Sequence, residues 1–298
     1  AAAVNSYVPE DAGISGFQLF MNTIPYNLYA LLTLTMVIFI TVTAFDFGLM
    51  KKHERNAAKG DLFTTGGEEF DQVAEDAETS LIFATLVTVF FMLILYLPRK
   101  VVTFKGFMDS LAEGFKLMVP AVTILIFAWS LKGMGDALGL AEFVGGIVGD
   151  NASASIFIPA ILFVVAIFLS FSTGTSWGTF AILVPIATAL FAGADNLTMM
   201  TISVSAVLAG AVCGDHISPI SDTTVMSSAG AQSNHINHVS TQMQYAAVVA
   251  TVSFVGYILA GIIRVWWIVL GISLILLIGV LMGMRMFLER KQVKKHAG

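Results

Sequence analysis

Two acidic residues, Asp215 and Asp222, lie in a polar run at 214–224 that contains Gly and Pro and interrupts apolar sequence. A second run, at 172–179, combines hydroxyl-bearing residues with glycines and interrupts the preceding apolar stretch. Carboxylate, hydroxyl and carbonyl oxygens are the ligands that hard cations prefer. An acidic group in a medium of low dielectric also takes up a proton more readily than it does in water. The two runs therefore predict a site at which H⁺ and a small cation compete for one carboxylate.

The candidate ligands are the acids and hydroxyls of these two runs. Asp222 is predicted to be the principal ion and proton ligand and Asp215 the second carboxylate, with Na⁺ held by Asp222, Asp215 and Ser176. Hydroxyl oxygens are supplied by Ser218, Ser221, Thr223, Thr173, Thr175, Ser176 and Thr179. His216, which adjoins Asp215, is a candidate for tuning the proton site or sensing pH. No cofactor is expected.

Each of these residues also has a structural interpretation. Asp222 opens the sequence DTTVMSSAG and suits a helix cap, and Asp215 suits an acceptor for neighbouring backbone N–H groups. Ser and Thr hydroxyls in membrane helices also pack between helices, although Gly174 and Gly178 favour an unwound turn. The two histidines of NHINH at 234–238 lie near a predicted helix start, where a solvated role is more common than a zinc site.

The elements that must position these residues are membrane helices. Of the 298 residues, 57% are hydrophobic and only 12% are charged, whereas soluble proteins carry about 25% charged residues. The mean hydropathy is +0.85, and apolar stretches recur at the length of about 20 residues that a spanning helix needs. The net charge of −5 comes mostly from residues 61–78 and does not imply a nucleic-acid partner. The one cysteine, Cys213, cannot form an intrachain disulfide.

A polar, helix-breaking stretch at membrane depth is tolerated only where it faces protein or a water-filled cavity. Two such stretches imply one shared cavity, and secondary transporters build midplane sites from interrupted helices of this kind. We therefore predict an all-α integral membrane protein with about five to six spanning helices, a re-entrant hairpin at 155–192 and a broken helix at 197–232. No Lys or Arg lies between Lys132 and Arg264, so the two acids must bind a proton, a metal ion or a basic group from elsewhere.

The predicted organisation has four parts. An N-terminal segment at 1–24 links to another part of a longer protein, and scaffold helices with an acidic loop at 51–79 occupy 25–132. The transport core occupies 133–232, and terminal helices with a basic tail occupy 233–298. The predicted ordinary spans are 25–50, 80–97, 107–132, 240–263 and 265–287, and a Gly-rich loop occupies 133–154.

Basic flanks of membrane helices favour the cytoplasm. The tail at 288–298 and the segment 99–105 are both basic, and they share the cytoplasmic side if the hairpin enters and leaves by the opposite face. Under this arrangement the basic residues Lys51, Lys52, Arg55 and Lys59 would lie outside, which is the one discordant expectation.

The polar runs belong to longer segments, FSTGTSWGTFAILVPIA at 171–187 and AVLAGAVCGDHISPISDTTVMSSAGAQSNHINHVSTQMQYA at 206–246. These segments resemble the NhaC-type Na⁺/H⁺ antiporter family, as do NTIPYNLY at 22–29 and FAWSL at 127–131. The resemblance covers nearly the whole chain but about half of a full-length member, and Gln244 stands where the family pattern has Pro. It implies an inner-membrane exchanger of the ion-transporter superfamily, with inverted repeats that each carry a hairpin and a broken helix.

Exchange of Na⁺ for H⁺ is the leading functional expectation. The alternative is exchange or symport of a small organic acid, such as malate or lactate, or of an amino acid. In that case helix N-termini and hydroxyl groups would bind the carboxylate of the substrate. An enzyme is not expected, because the adjacency of Asp215 and His216 in the sequence does not by itself aim a base at a nucleophile. The expected partners are membrane lipid, a missing N-terminal half of the same transporter, and a second copy in a homodimer.

Overall fold

The computed structural model describes residues 14–59, 155–191, 196–231 and 233–296, with a few isolated positions between 103 and 134. Every regular element in these ranges is a helix, which confirms the predicted all-α class. We number the helices in chain order as α1 Gly16–Thr23, α2 Leu28–Thr43, α3 Gly48–Ala57, α4 Ile158–Thr173, α5 Ser176–Leu190, α6 Leu197–Ile217, α7 Asp222–Gly230, α8 His235–Ile263 and α9 Trp266–His296. A single 3₁₀ turn, Ile24–Tyr26, joins α1 to α2.

Four stretches of the described chain are long and apolar enough to cross a membrane. They are Leu28–Ala57, Leu197–Ile217, His235–Ile263 and Trp266–Arg290, while α4 and α5 are shorter apolar helices. The last two predicted spans, 240–263 and 265–287, correspond to α8 and α9. The predicted spans at 80–97 and 107–132, the part of the acidic loop at 51–79 that follows Lys59, and the loop at 133–154 lie outside the described residues, apart from the isolated positions. The start of the predicted acidic loop is helical, because α3 continues to Ala57.

Contacts between helix ends define two faces. At the first face, the end of α8 contacts the segment before α4. The contact is close, since an added Cβ on Gly261 would collide with the Ile156 carbonyl oxygen. The Tyr26 hydroxyl also donates to the Arg264 carbonyl oxygen over 2.7 Å. We call this the hairpin face. At the second, the Leu49 backbone N–H donates to Gln244 Oε1 over 2.8 Å, so α3 lies near the start of α8. We call this the tail face, because α9 also ends there.

The first predicted span, 25–50, is too long. Helix α2 ends at Thr43, Ala44 adopts a left-handed conformation with φ 48°, and a separate helix α3 begins at Gly48, where φ is 61°. Helix α3 carries polar and basic residues, which suits a helix at the membrane surface.

The same turn corrects the sidedness of the early basic residues. Lys51, Lys52 and Arg55 line one cavity with Arg285 and Glu289 near the end of α9. They therefore share the tail face rather than lying opposite the tail. The expectation that Lys51, Lys52 and Arg55 lie on the face opposite the tail is wrong, because the chain turns at 44–47 on the face where α9 ends.

The predicted hairpin forms a helix–turn–helix. Helix α4 ends at Gly174 in a left-handed conformation with φ 67°, and α5 begins at Ser176 after the extended residue Thr175. The turn is thus shorter than the polar run at 172–179. Both arms are largely apolar, and Pro185 is accommodated inside α5.

The broken helix is also present, with a shorter break than predicted. Only Ser218–Ser221 is non-helical between α6 and α7, so Gly214, Asp215 and His216 remain in α6. The reason is packing: added Cβ atoms on Gly210 and Gly214 would collide with the carbonyl oxygens of Phe163 and Ile167 on α4. These glycines bring two helices into backbone contact instead of unwinding one of them.

Candidate functional site

The hairpin turn lies against the break in the second interrupted helix. A Cβ on Gly174 would lie 2.8 Å from the Ile220 carbonyl oxygen, so the turn touches the break directly. The Ser218 hydroxyl donates to the Phe171 carbonyl oxygen over 2.8 Å, which fastens the start of the break to the end of α4. The two polar interruptions of the sequence therefore form one structural unit, which is the geometry that a shared site requires.

One candidate carboxylate is held by a short hydroxyl chain. The Ser221 hydroxyl lies 2.5 Å from Asp215 Oδ1, as donor, and 2.8 Å from the Thr223 hydroxyl. Asp215 is half-buried and Ser221 is fully buried. Hydrogen bonds to a charged partner are shorter and stronger than neutral ones. Hydrogen bonds thus bring together Asp215, Ser221 and Thr223, three of the candidate ligands.

Asp222 begins α7 and has an exposed side chain. The Val225 N–H donates to the Ser221 carbonyl oxygen over 2.9 Å, which places Ser221, not Asp222, at the capping position. A carboxylate in the first turn is stabilised by the helix dipole. Asp222 therefore sits at the open side of the break, where its charge is supported but its oxygens face outward from the described residues.

The hydroxyls of the hairpin bond mainly within the hairpin. Thr173 donates to the Leu169 carbonyl oxygen over 2.9 Å, and Thr179 donates to the Thr175 carbonyl oxygen over 3.2 Å. Ser176 begins α5, one residue beyond Thr175. The predicted ligands thus have three kinds of partner. Ser218 joins the two interruptions, and Ser221 and Thr223 form the hydrogen-bonded chain with Asp215. Thr173 and Thr179 donate to backbone carbonyl oxygens of the hairpin itself.

His216 is held by residues of α2, α7 and α8. Its Nδ1 lies 3.1 Å from the Tyr29 hydroxyl, and its carbonyl oxygen accepts from Gln242 Nε2 over 2.9 Å. The Thr224 hydroxyl lies 3.2 Å from the same carbonyl oxygen. Helices α2 and α8 therefore hold the end of α6, and any influence of His216 on the site is linked to both of them.

His235 and His238 attach α7 and the break to the start of α8. His235 Nε2 lies 2.7 Å from the Pro219 carbonyl oxygen, and its Nδ1 lies 3.0 Å from the Ser228 hydroxyl. His238 Nε2 lies 3.2 Å from the Ser227 hydroxyl. In the described ranges no three His, Cys, Asp or Glu side chains are grouped to hold a metal ion.

A cavity of about 640 Å³ lies on the side of the broken helix that faces α2, α3 and α8. It extends from Asp46 and Glu54 at the tail face to His216 and Thr223 beside the break. Its remaining lining is largely apolar, with contributions from Met36, Val37, Ile40, Ala246 and Val249. The cavity thus reaches the hydroxyl chain of Asp215 without passing the hairpin.

Sequence reasoning missed several of the residues that build this site. Gly210 and Gly214, spaced four apart in α6, follow the small-residue pattern of close helix contacts. Gln242 is a polar residue inside a predicted span, which is itself a signal of function or pairing. Tyr29 gave no comparable signal, because its role depends on where α2 packs.

Apolar spans arranged around a helical hairpin and an interrupted helix define a multi-pass membrane transport protein. The family model described as the Na⁺/H⁺ antiporter family matches residues 3–99 and 73–262. The chain belongs to this family, which confirms the resemblance found in the sequence.

Three curated proteins show what the chain is similar to. An uncharacterized protein of Haemophilus influenzae is 34% identical over 280 residues, covering 79% of this chain and 53% of that protein. The malate-2H⁺/Na⁺-lactate antiporter of Bacillus subtilis is 30% identical over 142 residues, covering 47% of this chain and 30% of that protein. An uncharacterized Na⁺/H⁺ antiporter of Haemophilus influenzae is 31% identical over 140 residues, covering 45% of this chain and 28% of that protein. No solved structure matches the chain.

The chain spans about half the length of the first of these relatives and less of the other two.

Proposed function

We propose that the protein exchanges Na⁺ for H⁺ across the cell membrane, with the carboxylates of the broken helix as the shared binding groups. The observation that carries the proposal is the contact between the hairpin turn at Gly174 and the break at Ile220, beside the bonded group Asp215–Ser221–Thr223. Family membership and the similarity to a relative named as a Na⁺/H⁺ antiporter support the same activity.

The proposed chemistry is competition for a carboxylate. When Asp215 is ionised, its oxygens and the Ser221 and Thr223 hydroxyls offer Na⁺ a hard-oxygen environment. When Asp215 is protonated, the negative charge that holds Na⁺ is lost. Asp222 supplies a second carboxylate at the open side of the break, and Ser176 with Thr175 supplies hydroxyls from the hairpin. No Lys or Arg occurs from 133 to 263 to neutralise these acids.

The proposal places the protein in the inner membrane with its basic tail in the cytoplasm. Lys51, Lys52 and Arg55 share the tail face with Arg285, so the early basic residues now favour the same orientation as the tail. The relatives are longer than this chain. We therefore also propose that an N-terminal half of the same transporter completes the site opposite the exposed Asp222, and that a homodimer is the assembled form.

Exchange of a small carboxylate is the second candidate, favoured by the similarity to the malate-2H⁺/Na⁺-lactate antiporter. The start of α7 presents backbone N–H groups that suit an anion. However, Asp222 occupies that first turn and would repel a substrate carboxylate. The local charge therefore favours the cation.

Family membership supports transport rather than catalysis. The Asp215 carboxylate bonds the Ser221 hydroxyl, whereas His235 bonds a backbone carbonyl oxygen and a serine hydroxyl. A nucleophile, a base and an orienting carboxylate are thus not aligned among these described residues.

The test is radiolabelled sodium uptake by proteoliposomes containing the full-length protein, driven by a proton gradient. Asp215→Asn and Asp222→Asn should each lower uptake by at least about ten-fold, because each removes a proposed cation-binding charge. Glu289→Gln, which removes an exposed acid paired with Arg285, should retain uptake. Unchanged uptake in both Asp variants would reject the site. Proton-coupled malate or lactate flux without sodium exchange would favour the second candidate.

A further inference from the structure

We propose that the cavity between α2, α3, α7 and α8 is the vestibule through which cations reach Asp215 from the tail face, and that Asp46 is the carboxylate that concentrates cations in it. The inference rests on the proposed cation exchange and adds its route and a specific residue. Asp46 is far in sequence from both polar runs. It also lies outside the four segments that resemble the antiporter family.

The cavity is continuous with the hydroxyl chain of the site. Asp46 and Glu54 line one end, and Thr223 and Thr224 line the other. The Thr223 hydroxyl lies 2.8 Å from the Ser221 hydroxyl, which in turn bonds Asp215 Oδ1. A cation that enters at Asp46 therefore meets Thr223 at the inner end, two hydroxyls away from the Asp215 carboxylate.

The charge of the lining selects for cations. Asp46 and Glu54 are acidic, and none of the residues that line this cavity in the described ranges is Lys or Arg. Asp46 and Glu54 also line the neighbouring cavity, and the cationic residues Lys51, Lys52, Arg55 and Arg285 line that cavity only. A cleft lined by one sign of charge between apolar walls focuses the electric field and raises the local counter-ion concentration.

Asp46 is held in place rather than left as a mobile surface acid. The Tyr245 hydroxyl donates to Asp46 Oδ1 over 3.2 Å and accepts from the Phe47 N–H over 3.4 Å. The rings of Phe47 and Tyr245 also pack with their centroids 4.3 Å apart. Tyr245 is therefore a positioning residue for the carboxylate, and it fixes the loop at 44–47 to α8.

Gln242 connects the wall of the cavity to the end of α6. Gln242, which lines the cavity, donates through Nε2 to the His216 carbonyl oxygen, and its Oε1 has no hydrogen-bond partner among the described residues. An unmet buried acceptor costs about 1–3 kcal/mol. The Nε2 bond to the His216 carbonyl oxygen therefore fixes this part of the cavity wall to the end of α6.

The first test measures access directly in the full-length protein, in a background without reactive cysteines that carries Cys213→Ala. Thr33→Cys places a thiol in the cavity, whereas Leu34→Cys places one on the exposed apolar surface of the same helix. From the tail face, a membrane-impermeant cationic thiol reagent should modify Thr33→Cys about ten-fold faster than an anionic one of similar size. Asp46→Asn should remove most of that preference.

Two results of this test would overturn the inference. One is a Thr33→Cys thiol that reacts no faster than the Leu34→Cys thiol. The other is equal reaction with cationic and anionic reagents. Tyr245→Phe keeps the ring and removes only the hydroxyl, so it should reduce the preference less than Asp46→Asn does.

The second test separates this inference from the proposed function. In proteoliposomes, Asp46→Asn should raise the KM for Na⁺ on the tail face about five-fold with the maximal rate retained, while Glu289→Gln should leave both unchanged. Normal exchange with an unaltered KM in Asp46→Asn would reject the vestibule and leave the antiport proposal standing. Absence of Na⁺/H⁺ exchange in the unmodified protein would reject the antiport proposal, whatever the labelling shows.

Discussion

The two sides of the broken helix α6–α7 are built in different ways. On the hairpin side, α6 packs against α4 through backbone: Gly210 and Gly214 lie against carbonyl oxygens, and the Ser170 hydroxyl donates to the Ala211 carbonyl oxygen over 2.7 Å. On the cavity side, α6 and α7 meet α2 and α8 through long polar side chains around an open volume of about 640 Å³. The hairpin side is close-packed, whereas the cavity side has space for water or ions.

This difference indicates a division of roles. Close-packed backbone contacts leave no space for rearrangement without loss of packing, so the hairpin side fixes the position of the break. On the cavity side an open volume of about 640 Å³ separates the helices, so this side has room to admit ions. Substitutions on the hairpin side should therefore affect folding and the geometry of the break, and those on the cavity side should affect access.

The strongest test of this comparison is Gly214→Leu. A side chain at Gly214 would collide with the Ile167 carbonyl oxygen and the Phe171 N–H region of α4, and overpacking of this kind costs about 1–3 kcal/mol or more. We expect a sharp fall in the yield of folded protein and loss of transport, measured by size-exclusion profile in detergent and by sodium uptake.

The matched control is Gly271→Leu in α9. An added Cβ at Gly271 meets no atom within 4 Å, so the same substitution there should leave yield and uptake close to those of the unmodified protein. If Gly214→Leu folded and transported as well as Gly271→Leu, the hairpin side would not be the fixed side.

The next largest effect is expected from Gly174→Ala at the hairpin turn. The residue has φ 67°, and its Cβ would lie 2.8 Å from the Ile220 carbonyl oxygen. A left-handed conformation costs a residue with a side chain about 1–2 kcal/mol, and the contact adds to that cost. We expect a lower thermal-unfolding temperature and slower exchange, with Gly279→Ala, which has open space around it, as the control. If the two variants had the same unfolding temperature and exchange rate, the contact between the hairpin turn and the break would not be needed for stability or exchange.

The interruptions themselves could be predicted from the sequence, whereas their extent could not. Polar, Gly- and Pro-containing runs in apolar sequence indicate a break because of backbone hydrogen-bonding requirements in lipid, and Gly174 and the Ser218–Ser221 segment confirm it. Gly214 opens the polar run at 214–224 but lies within α6. In the structure its missing side chain serves the contact between α4 and α6, and a single sequence does not state which helix a glycine faces.

The candidate site divides in the same way. The hydroxyl chain of Asp215, Ser221 and Thr223 involves residues close in sequence, and one polar run contains them all. The vestibule depends on Asp46 and Tyr245, whose contact joins residues 199 positions apart. Local pattern identifies the first kind of group. Only the packing of α2, α3 and α8 reveals the second.

A smaller effect is expected from removing one buried hydroxyl on the hairpin side. Ser170→Ala deletes the hydrogen bond to the Ala211 carbonyl oxygen and should lower the free energy of unfolding by about 1 kcal/mol. Ser203→Ala in α6 is the matched control, because the Ser203 hydroxyl is fully buried and has no hydrogen-bond partner among the described residues. It should be neutral or slightly stabilising. A larger loss in Ser203→Ala than in Ser170→Ala would contradict the assignment of this contact.

The smallest effect is expected at Gln244, on the cavity side. Its Oε1 accepts from the Leu49 N–H over 2.8 Å and packs against Gly48, which attaches the start of α3 to α8. Gln244→Ala removes one partly exposed hydrogen bond, worth about 0.5–1 kcal/mol, so global stability should change little. The local signature should be faster hydrogen exchange at the start of α3, with Met243→Ala as the control on the adjacent exposed position. Because α3 borders the vestibule, a loosened α3 with unchanged protection at Gly214 would show that the two sides of the broken helix respond independently.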